Sequence, residues 1–354
     1  MRGADERPRH ESVDVVSGQV HGRLATSLGP GHPLTNRFLL LREVHVSAPT
    51  VHHEPGATPT RVLVTGATGD IGKPLVEDLT ARGVPFRVLC RRPAQVRAFT
   101  ERGVDAVLGE FEDPRSLREA MRGCDQLFLN TPVDERQYHQ NREAIDAAVD
   151  AGVRHVVKVS ASDANPRSAI PWARDHALAD EHLRRSGLAW TRLQASAFTK
   201  NLLVEAAAIR RGWLPQTSGH GATAWVDVAD VAAVAARVLT DPAVQGRSGE
   251  DGRTYLLTGD RPLSYPEVAG ILSTVLGHRV RYVHVPAPAF YGVLRATGVP
   301  AWQARGLVHQ FVDVVRRGQD DGRLCSRDIP DLLGRPATTV ADFAEDHRAE
   351  LSAA

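Results

Sequence analysis

Three glycines at three-residue spacing, Gly66, Gly69 and Gly72, stand directly behind the apolar run Val62-Leu63-Val64-Thr65, and a segment of helical periodicity follows them. A chain with this order must turn sharply out of a strand into a helix, and side chains in the turn would obstruct whatever sits on the helix end. Gly66 permits the turn, Gly69 keeps the approach open, and Gly72 lets the helix pack closely. Thr68, Asp70 and Ile71 occupy the rest of the turn, whose backbone N–H groups are expected to face a pyrophosphate. Beyond it Ile71, Leu75, Val76 and Leu79 recur at helical spacing. Pro74 is tolerated there because a first-turn residue has no intrahelical N–H partner. Glycine spacing alone is also met in ordinary turns; the strand before and the helix after are what point to a dinucleotide site.

From residue 60 onward, strands and helices alternate, which predicts an α/β doubly wound parallel sheet. The expected strands are Val62 to Thr65, Phe86 to Cys90, Ala106 to Leu108, Gln126 to Leu129, His155 to Val159 and Ala189 to Leu193. Helices are expected at Lys73 to Arg82, Ala94 to Arg102, Pro114 to Arg122, Glu135 to Ala151 and Arg174 to Ser186, the last two stopped by Gly152 and Gly187. Trp225 to Val231 reads as a short strand end with Asp227 capping an alanine-rich helix to Leu239, and Thr254 to Thr258 as a strand rejoining the sheet. Ser264-Tyr265-Pro266-Glu267 is a capping box opening a helix to about Leu276. Val280 to Val285 alternates as a strand. The mainly helical remainder has Phe290, Leu294, Trp302, Val308, Phe311 and Val315 as expected core, and the character of a smaller lobe over the substrate. The division expected is 1–59 as an extension, 60–260 as the dinucleotide-binding domain with part of the lobe inserted near 198–222, and 261–354 as the lobe.

Residues 1–59 are rich in His, Pro, Gly and Ser, and only Arg37 to Val46 has the pattern of a strand. A mostly disordered extension is expected, and a flexible polar leader accounts for His45, His52 and His53 better than a metal site does. An upstream start codon read into the frame would give the same picture. A formal net charge of +1 gives no electrostatic case for nucleic acid. No apolar run approaches the roughly 18 residues that span a bilayer. Cys90, Cys124 and Cys325 lack metal-ligand or redox-pair spacing, which fits a reducing cytoplasm.

In such folds an acidic residue ending the second strand, about 20 residues past the glycines, binds the ribose hydroxyls of NAD. Here the chain reads Cys90-Arg91-Arg92-Pro93 instead. Arginine at that place can pair with a 2′-phosphate, so NADP(H) is favoured and NAD(H) is the alternative; the competing reading makes Arg91 and Arg92 solvated loop charges. Glu110 and Phe111, after the third strand, are expected to border the adenine. Thr131 and Pro132, after the fourth, stand where the crevice runs toward the nicotinamide.

The segments TGATGDIG, VLCRRP, GEFEDPRSL, AAVDAGVRHVVKVSA, EHLRRSGLAWTRLQASAFTKN, WVDVADVAAVAARVL, TYLLTGDRPLSYPEVAGILSTVLGHRV and GRPATTVADFAEDH follow one another as in the NmrA-like branch of the atypical short-chain dehydrogenases/reductases. The resemblance runs over residues 60 to 350 and implies a Rossmann domain with a small C-terminal lobe and NAD(P)H between them. Proteins resembling this chain include quinone and azo-dye reductases, and also regulators that sense the cofactor's redox state without turnover.

The Tyr-x-x-x-Lys pair of ordinary short-chain dehydrogenases, in which lysine lowers the tyrosine pKa, is missing. Tyr138, Tyr255, Tyr265, Tyr282 and Tyr291 are followed four residues on by Arg142, Gly259, Ala269, Pro286 and Arg295. Where the pair is expected the chain reads Trp172-Ala173-Arg174-Asp175-His176. His176 is the remaining proton donor, since imidazole titrates near neutral pH, against the reading of a surface helix histidine. Ser160, ending the fifth strand, is placed to hydrogen-bond a substrate oxygen. Lys158 lies on the same strand face, either as part of that site or as a buried lysine paired with a carboxylate. Trp172, Phe198 and Trp213 offer flat surfaces beside the nicotinamide or belong to the core. Asn201 resembles the family's helix start below the cofactor, with no chemical role assigned.

Two functions follow as expectations. The first is an NADPH-dependent oxidoreductase passing hydride to a small quinone-like or unsaturated acceptor, where positioning does most of the work. The second is a non-catalytic NADP(H) sensor whose affinity for a regulatory protein partner changes with cofactor state. An isomerase or epimerase holding NAD is disfavoured, because it too needs the tyrosine.

Overall fold

The two strands at the switch point of the central sheet, Val62–Val64 and Gln126–Leu129, are buried at every position, as expected for strands covered on both faces. The structure, a computed structural model, describes residues 61–316 and 325–352. The extension 1–59, with the strand expected at Arg37 to Val46 and the three histidines, lies outside the described residues.

The first half alternates strictly: β1 (Val62–Val64), α1 (Gly72–Ala81), β2 (Phe86–Cys90), α2 (Pro93–Thr100), β3 (Asp105–Leu108), α3 (Pro114–Met121), β4 (Gln126–Leu129), α4 (Gln137–Asp150), β5 (His155–Ala161), α5 (Pro171–Arg185) and β6 (Ala189–Ala195). There follow a 3₁₀ segment (Thr199–Glu205), α6 (Ala206–Ile209), β7 (Trp213–Gln216), β8 (Ala222–Thr223), α7 (Val228–Thr240), β9 (Arg253–Leu257) and β10 (Leu263–Ser264). The chain continues through α8 (Tyr265–Leu276), β11 (Arg281–His284), α9 (Ala287–Ala296), α10 (Ala301–His309), a π-helical segment (Gln310–Val315), α11 (Asp328–Leu333), α12 (Val340–Asp346) and α13 (Arg348–Leu351).

The main sheet runs in the order β3-β2-β1-β4-β5-β6-β9, parallel throughout. β1 pairs with β2 on one side and β4 on the other, so the winding reverses there and a crevice opens beyond the carboxyl ends of those two strands. One face is covered by α1 and α7, whose Leu75, Val76 and Leu79 share a core with Val231, Val234 and Val238. The other is covered by α3, α4 and α5 through Leu117, Met121, Ile145 and Leu183. Each such fully buried side chain is worth about 1.5–3 kcal/mol.

A third core belongs to the C-terminal region. Leu202, Ile209 and Leu214, from the stretch after β6, pack with Leu272, Phe343 and Leu351. The alternating Arg281–His284 strand pairs with β7, a partner the sequence does not announce. Ser264 Oγ accepts from the Glu267 N–H while Glu267 Oε2 accepts from the Ser264 N–H at 2.8 Å, as the capping box predicts. Asp227 caps α7 and also accepts from the Thr199 hydroxyl at 2.8 Å, which fastens the helix to the segment after β6.

Two expectations need correction. Trp225 and Val226 form no strand; Val226 makes a single bridge to Phe198. Leu294, Trp302, Val308 and Phe311 are only half-buried, because α9 and α10 lie as one layer with Phe290, Ala304 and Gly306 as their buried residues.

Candidate functional site

The turn after β1 is shaped by backbone contacts that exclude side chains. Gly66 has φ +66°, and a Cβ there would lie 2.9 Å from the Asn130 carbonyl oxygen; one at Gly72 would lie 2.1 Å from that of Gly66. Gly69 is different, because its absent Cβ has only the Gly66 oxygen near, at 3.2 Å, so open approach is what the glycine preserves. The N–H groups of Thr68, Asp70 and Ile71 have no acceptor among the described residues, and they surround the N-terminus of α1. A bare turn with unpaired donors at a helix N-terminus fits a pyrophosphate. Thr65 Oγ1 donates to the Phe128 carbonyl at 3.0 Å and accepts from the Asn130 N–H at 2.9 Å, locking the ends of β1 and β4 together as the crevice floor.

Around this turn the other expected residues fall at different depths. Thr68 Oγ1 accepts from Gln95 Nε2 at 3.4 Å, and Asp70 is ion-paired with Lys200 of the 3₁₀ segment. Arg91 and Arg92 are exposed, and neither guanidinium has an ion pair among the described residues. The Arg92 N–H donates to Gln95 Oε1 at 3.1 Å, which sets the start of α2. Glu110 is exposed, but Phe111 is not an open border for an adenine: it is buried with Leu63, Leu89 and Leu117, since an apolar ring beside α3 gains more from the core. Thr131 lines the crevice and its hydroxyl accepts from Asn141 Nδ2 at 2.8 Å, whereas Pro132 is exposed and outside the lining.

From the glycine turn the crevice deepens into a cleft of about 570 Å³. Its lining comes from the ends of β4, β5 and β6, from α5, and from the C-terminal region. Trp172, Phe198, Trp225, Tyr265 and Phe311 make it aromatic. Trp225, Tyr265 and Phe311 meet edge to face in succession, with ring centroids 5.3 and 6.0 Å apart. Trp213 stands outside the cleft, half-exposed on β7. Asn201 lines the cleft from the 3₁₀ segment.

Behind the cleft wall lies a polar cluster. Lys158 is wholly buried, its Nζ 2.9 Å from Asp180 Oδ1 and 3.3 Å from His176 Nδ1. Ser160 Oγ donates to Asp180 Oδ2 at 2.6 Å, so its proton is committed to the carboxylate and the oxygen can only accept from a substrate. Of the two readings of Lys158, the structure has the buried pair; the ammonium does not line the cleft. His176 and Ser160 do line it.

His176 is not a neutral-pH proton donor in the sense expected. Loss of hydration and then the neighbouring Lys158 charge push its pKa down to about 3, with Asp180 opposing only in part. The ring is therefore neutral. Because Lys158 donates to Nδ1, the proton resides on Nε2, which faces the Gln137 amide at 3.2 Å. Gln137 Oε1 is buried and otherwise unpartnered, so the amide orientation that turns this oxygen to Nε2 satisfies both groups. Asn130, Gln137 and Asp180 are thus part of the site without having been singled out by sequence. Asp180 alone carried a signal, standing four residues after His176 on one helix face.

Comparison with known proteins agrees with this geometry. The family model described as NAD(P)H-binding matches residues 66–242. The NAD(P)H azoreductase of Xenophilus azovorans is 35% identical over 294 residues, 83% of this chain and 100% of that protein. The Escherichia coli NADPH-dependent quinone oxidoreductase, solved with NADPH, superposes with a TM-score of 0.70 at 28% identity, covering 80% of this chain and 99% of that one. The Citrobacter sp. triphenylmethane reductase complexed with NADP(H) gives 0.70 at 26% identity, with 80% and 99% covered. The bare glycine turn at the switch point, its unpaired donors and these matches together make this chain a member of the NAD(P)H-binding family, in the NmrA-like branch of the atypical short-chain dehydrogenases/reductases.

Proposed function

We propose that this protein is an NAD(P)H-dependent reductase of flat, conjugated acceptors, quinone-like or azo compounds, with NADPH preferred. The observation that carries this reading is the aromatic cleft that continues from the glycine turn and, among the described residues, is lined by no lysine or arginine and by a neutral histidine. When bound, the reduced nicotinamide supplies a hydride. The chain's residues provide the rest. The turn from Gly66 to Gly72 binds the pyrophosphate, and Arg91 and Arg92, unpaired and exposed, meet the 2′-phosphate. Trp172 and His176 occupy the same face of α5, where an ordinary short-chain dehydrogenase carries its tyrosine and lysine. Trp172 presents its ring to the acceptor. His176, held neutral by burial and then by the Lys158 charge, shares its Nε2–H between Gln137 Oε1 and an acceptor oxygen as negative charge develops there. A quinone reduced in this way leaves as a stabilised phenolate, which water protonates, so a strong acid is not required.

Support comes also from relatives named for azo and quinone reduction. The test is calorimetric titration with NADPH and NADH, followed by NADPH oxidation against a quinone and azo-dye panel. Tight NADPH binding with acceptor-dependent turnover is expected. Binding without turnover by any acceptor would overturn the reading in favour of a sensor acting through a protein partner.

A further inference from the structure

Glycine weakens a helix interior relative to alanine, yet α10 carries the buried Gly306 in its middle. The space its side chain would fill is taken by Trp172 of α5. A Cβ at 306 would lie 2.6 and 2.7 Å from Cζ3 and Cη2 of the indole and 3.0 Å from Pro171 Cδ. Non-bonded carbons settle at about 3.5–4.0 Å, so the ring rests on bare helix backbone and leaves no room for a methyl group. Two more contacts fix the same ring. Trp302, also on α10, meets it edge to face with centroids 6.4 Å apart. Trp172 Nε1 donates to Gln310 Oε1 at 2.9 Å and Gln310 Nε2 donates to Asp163 Oδ2 at 3.2 Å, which ties the polar edge of the indole through the π-helical segment to the chain just past β5. Trp172 thus stands on α5, but residues 302–310 set where its ring lies. The ring is half-buried, and it lines the cleft.

We infer that Gly306 is a positioning residue that sets the width of the acceptor, admitting flat fused-ring compounds as well as single rings by letting the Trp172 indole draw back onto α10. This rests on the reductase reading and refines its acceptor class. A side chain at 306 has to displace the ring. Rotation in place is opposed by the Nε1 bond to Gln310, and the unfilled space beside the ring is the cleft, so the displaced indole narrows the cleft. Interiors pack closely enough for one methyl group to be felt, and a fused-ring acceptor loses its room before a single ring does.

The experiment compares duroquinone, a single ring, with 9,10-phenanthrenequinone, three fused rings, on wild type, Gly306→Ala, Trp172→Phe and the double variant. Dissociation constants are measured by equilibrium dialysis without nicotinamide, and KM and kcat are measured with NADPH. Gly306→Ala is expected to lower phenanthrenequinone affinity relative to duroquinone about tenfold, the low end for one methyl's worth of space in an apolar pocket, with the loss carried by KM rather than kcat. In the double variant the smaller phenyl ring leaves room for the methyl, and the ratio is expected to return toward that of Trp172→Phe alone, a rescue that a merely structural role does not give. An equal loss for both quinones, an unchanged ratio, a gain for the wide acceptor or a double variant that keeps the loss overturns the inference, as does a wild type that binds neither quinone. If both bind and neither is turned over, the reductase reading fails, while the affinity ratio still decides the role of Gly306.

Discussion

The two ends of the cleft are built by opposite means. At the glycine turn the open groups are the backbone N–H donors of Thr68, Asp70 and Ile71, and at Gly66 and Gly72 side chains are excluded by contacts of 2–3 Å to neighbouring carbonyls. At the acceptor end the working groups are side chains, brought from β5, α5, the segment after β6, α8 and the π-helical segment. Charge is divided in the same way: exposed Arg91 and Arg92 border the turn, and the acceptor end has Asp163. One lesson is that a ligand with invariant chemistry is met by rigid local backbone, and a variable one by a mosaic that can change residue by residue.

The contrast is broken most directly at the turn. Gly69→Val places carbon in the open approach and is expected to abolish NADPH and NADH binding together, with little change in melting temperature. Calorimetry beside a thermal melt checks this, and retained binding would remove the turn from the site. At the other end, Asp180→Asn leaves the buried Lys158 ammonium without its counter-charge and is expected to cost about 3–5 kcal/mol of stability. Adding Lys158→Met should recover part of that loss, and denaturant titration of the single and double variants measures it.

Smaller effects sharpen the comparison. His176→Ala is expected to lower kcat with a quinone about 100-fold, the low end for removing a hydrogen-bond donor to a developing negative charge, and to leave NADPH affinity alone. A fall in affinity instead would move His176 to the cofactor. Arg91→Ala should weaken NADPH binding by about 1–3 kcal/mol and barely affect NADH, the signature of a contact to the 2′-phosphate. Equal losses would show that Arg91 does not read that group.

The pH response is the most modest. Burial holds His155 down to about 4, and burial with the Lys158 charge holds His176 down to about 3, against an ordinary 6.5. Between 6.5 and 4 the unfolded chain binds protons that the folded chain refuses, so stability is full above 6.5 and falls as pH falls. Melting temperatures over that range should drop less in His155→Gln than in wild type.

Much of the frame could be read from the chain, because each piece depended on local order. The strand boundaries of β2 and β4, the caps at Asp227 and Ser264 and the stops at Gly152 and Gly187 are written in neighbouring residues. The half-buried state of Phe311 was not legible, since apolar periodicity is identical for a helix packed on both sides and one lining a cleft. Phe111 misled for the converse reason: its place after β3 suggested the rim, and its ring found the core.

By itself the sequence determined the doubly wound sheet, the dinucleotide turn at Gly66 to Gly72 and the arginines beside it, since strand, turn and helix within a single stretch dictate them. Only the tertiary structure decided that Lys158 is a buried partner of Asp180, that His176 is neutral with its proton on Nε2, and that aromatic rings from five separate places in the chain line one cleft. Those properties arise from the loss of water around groups far apart in the chain, and desolvation is a property of the assembled interior.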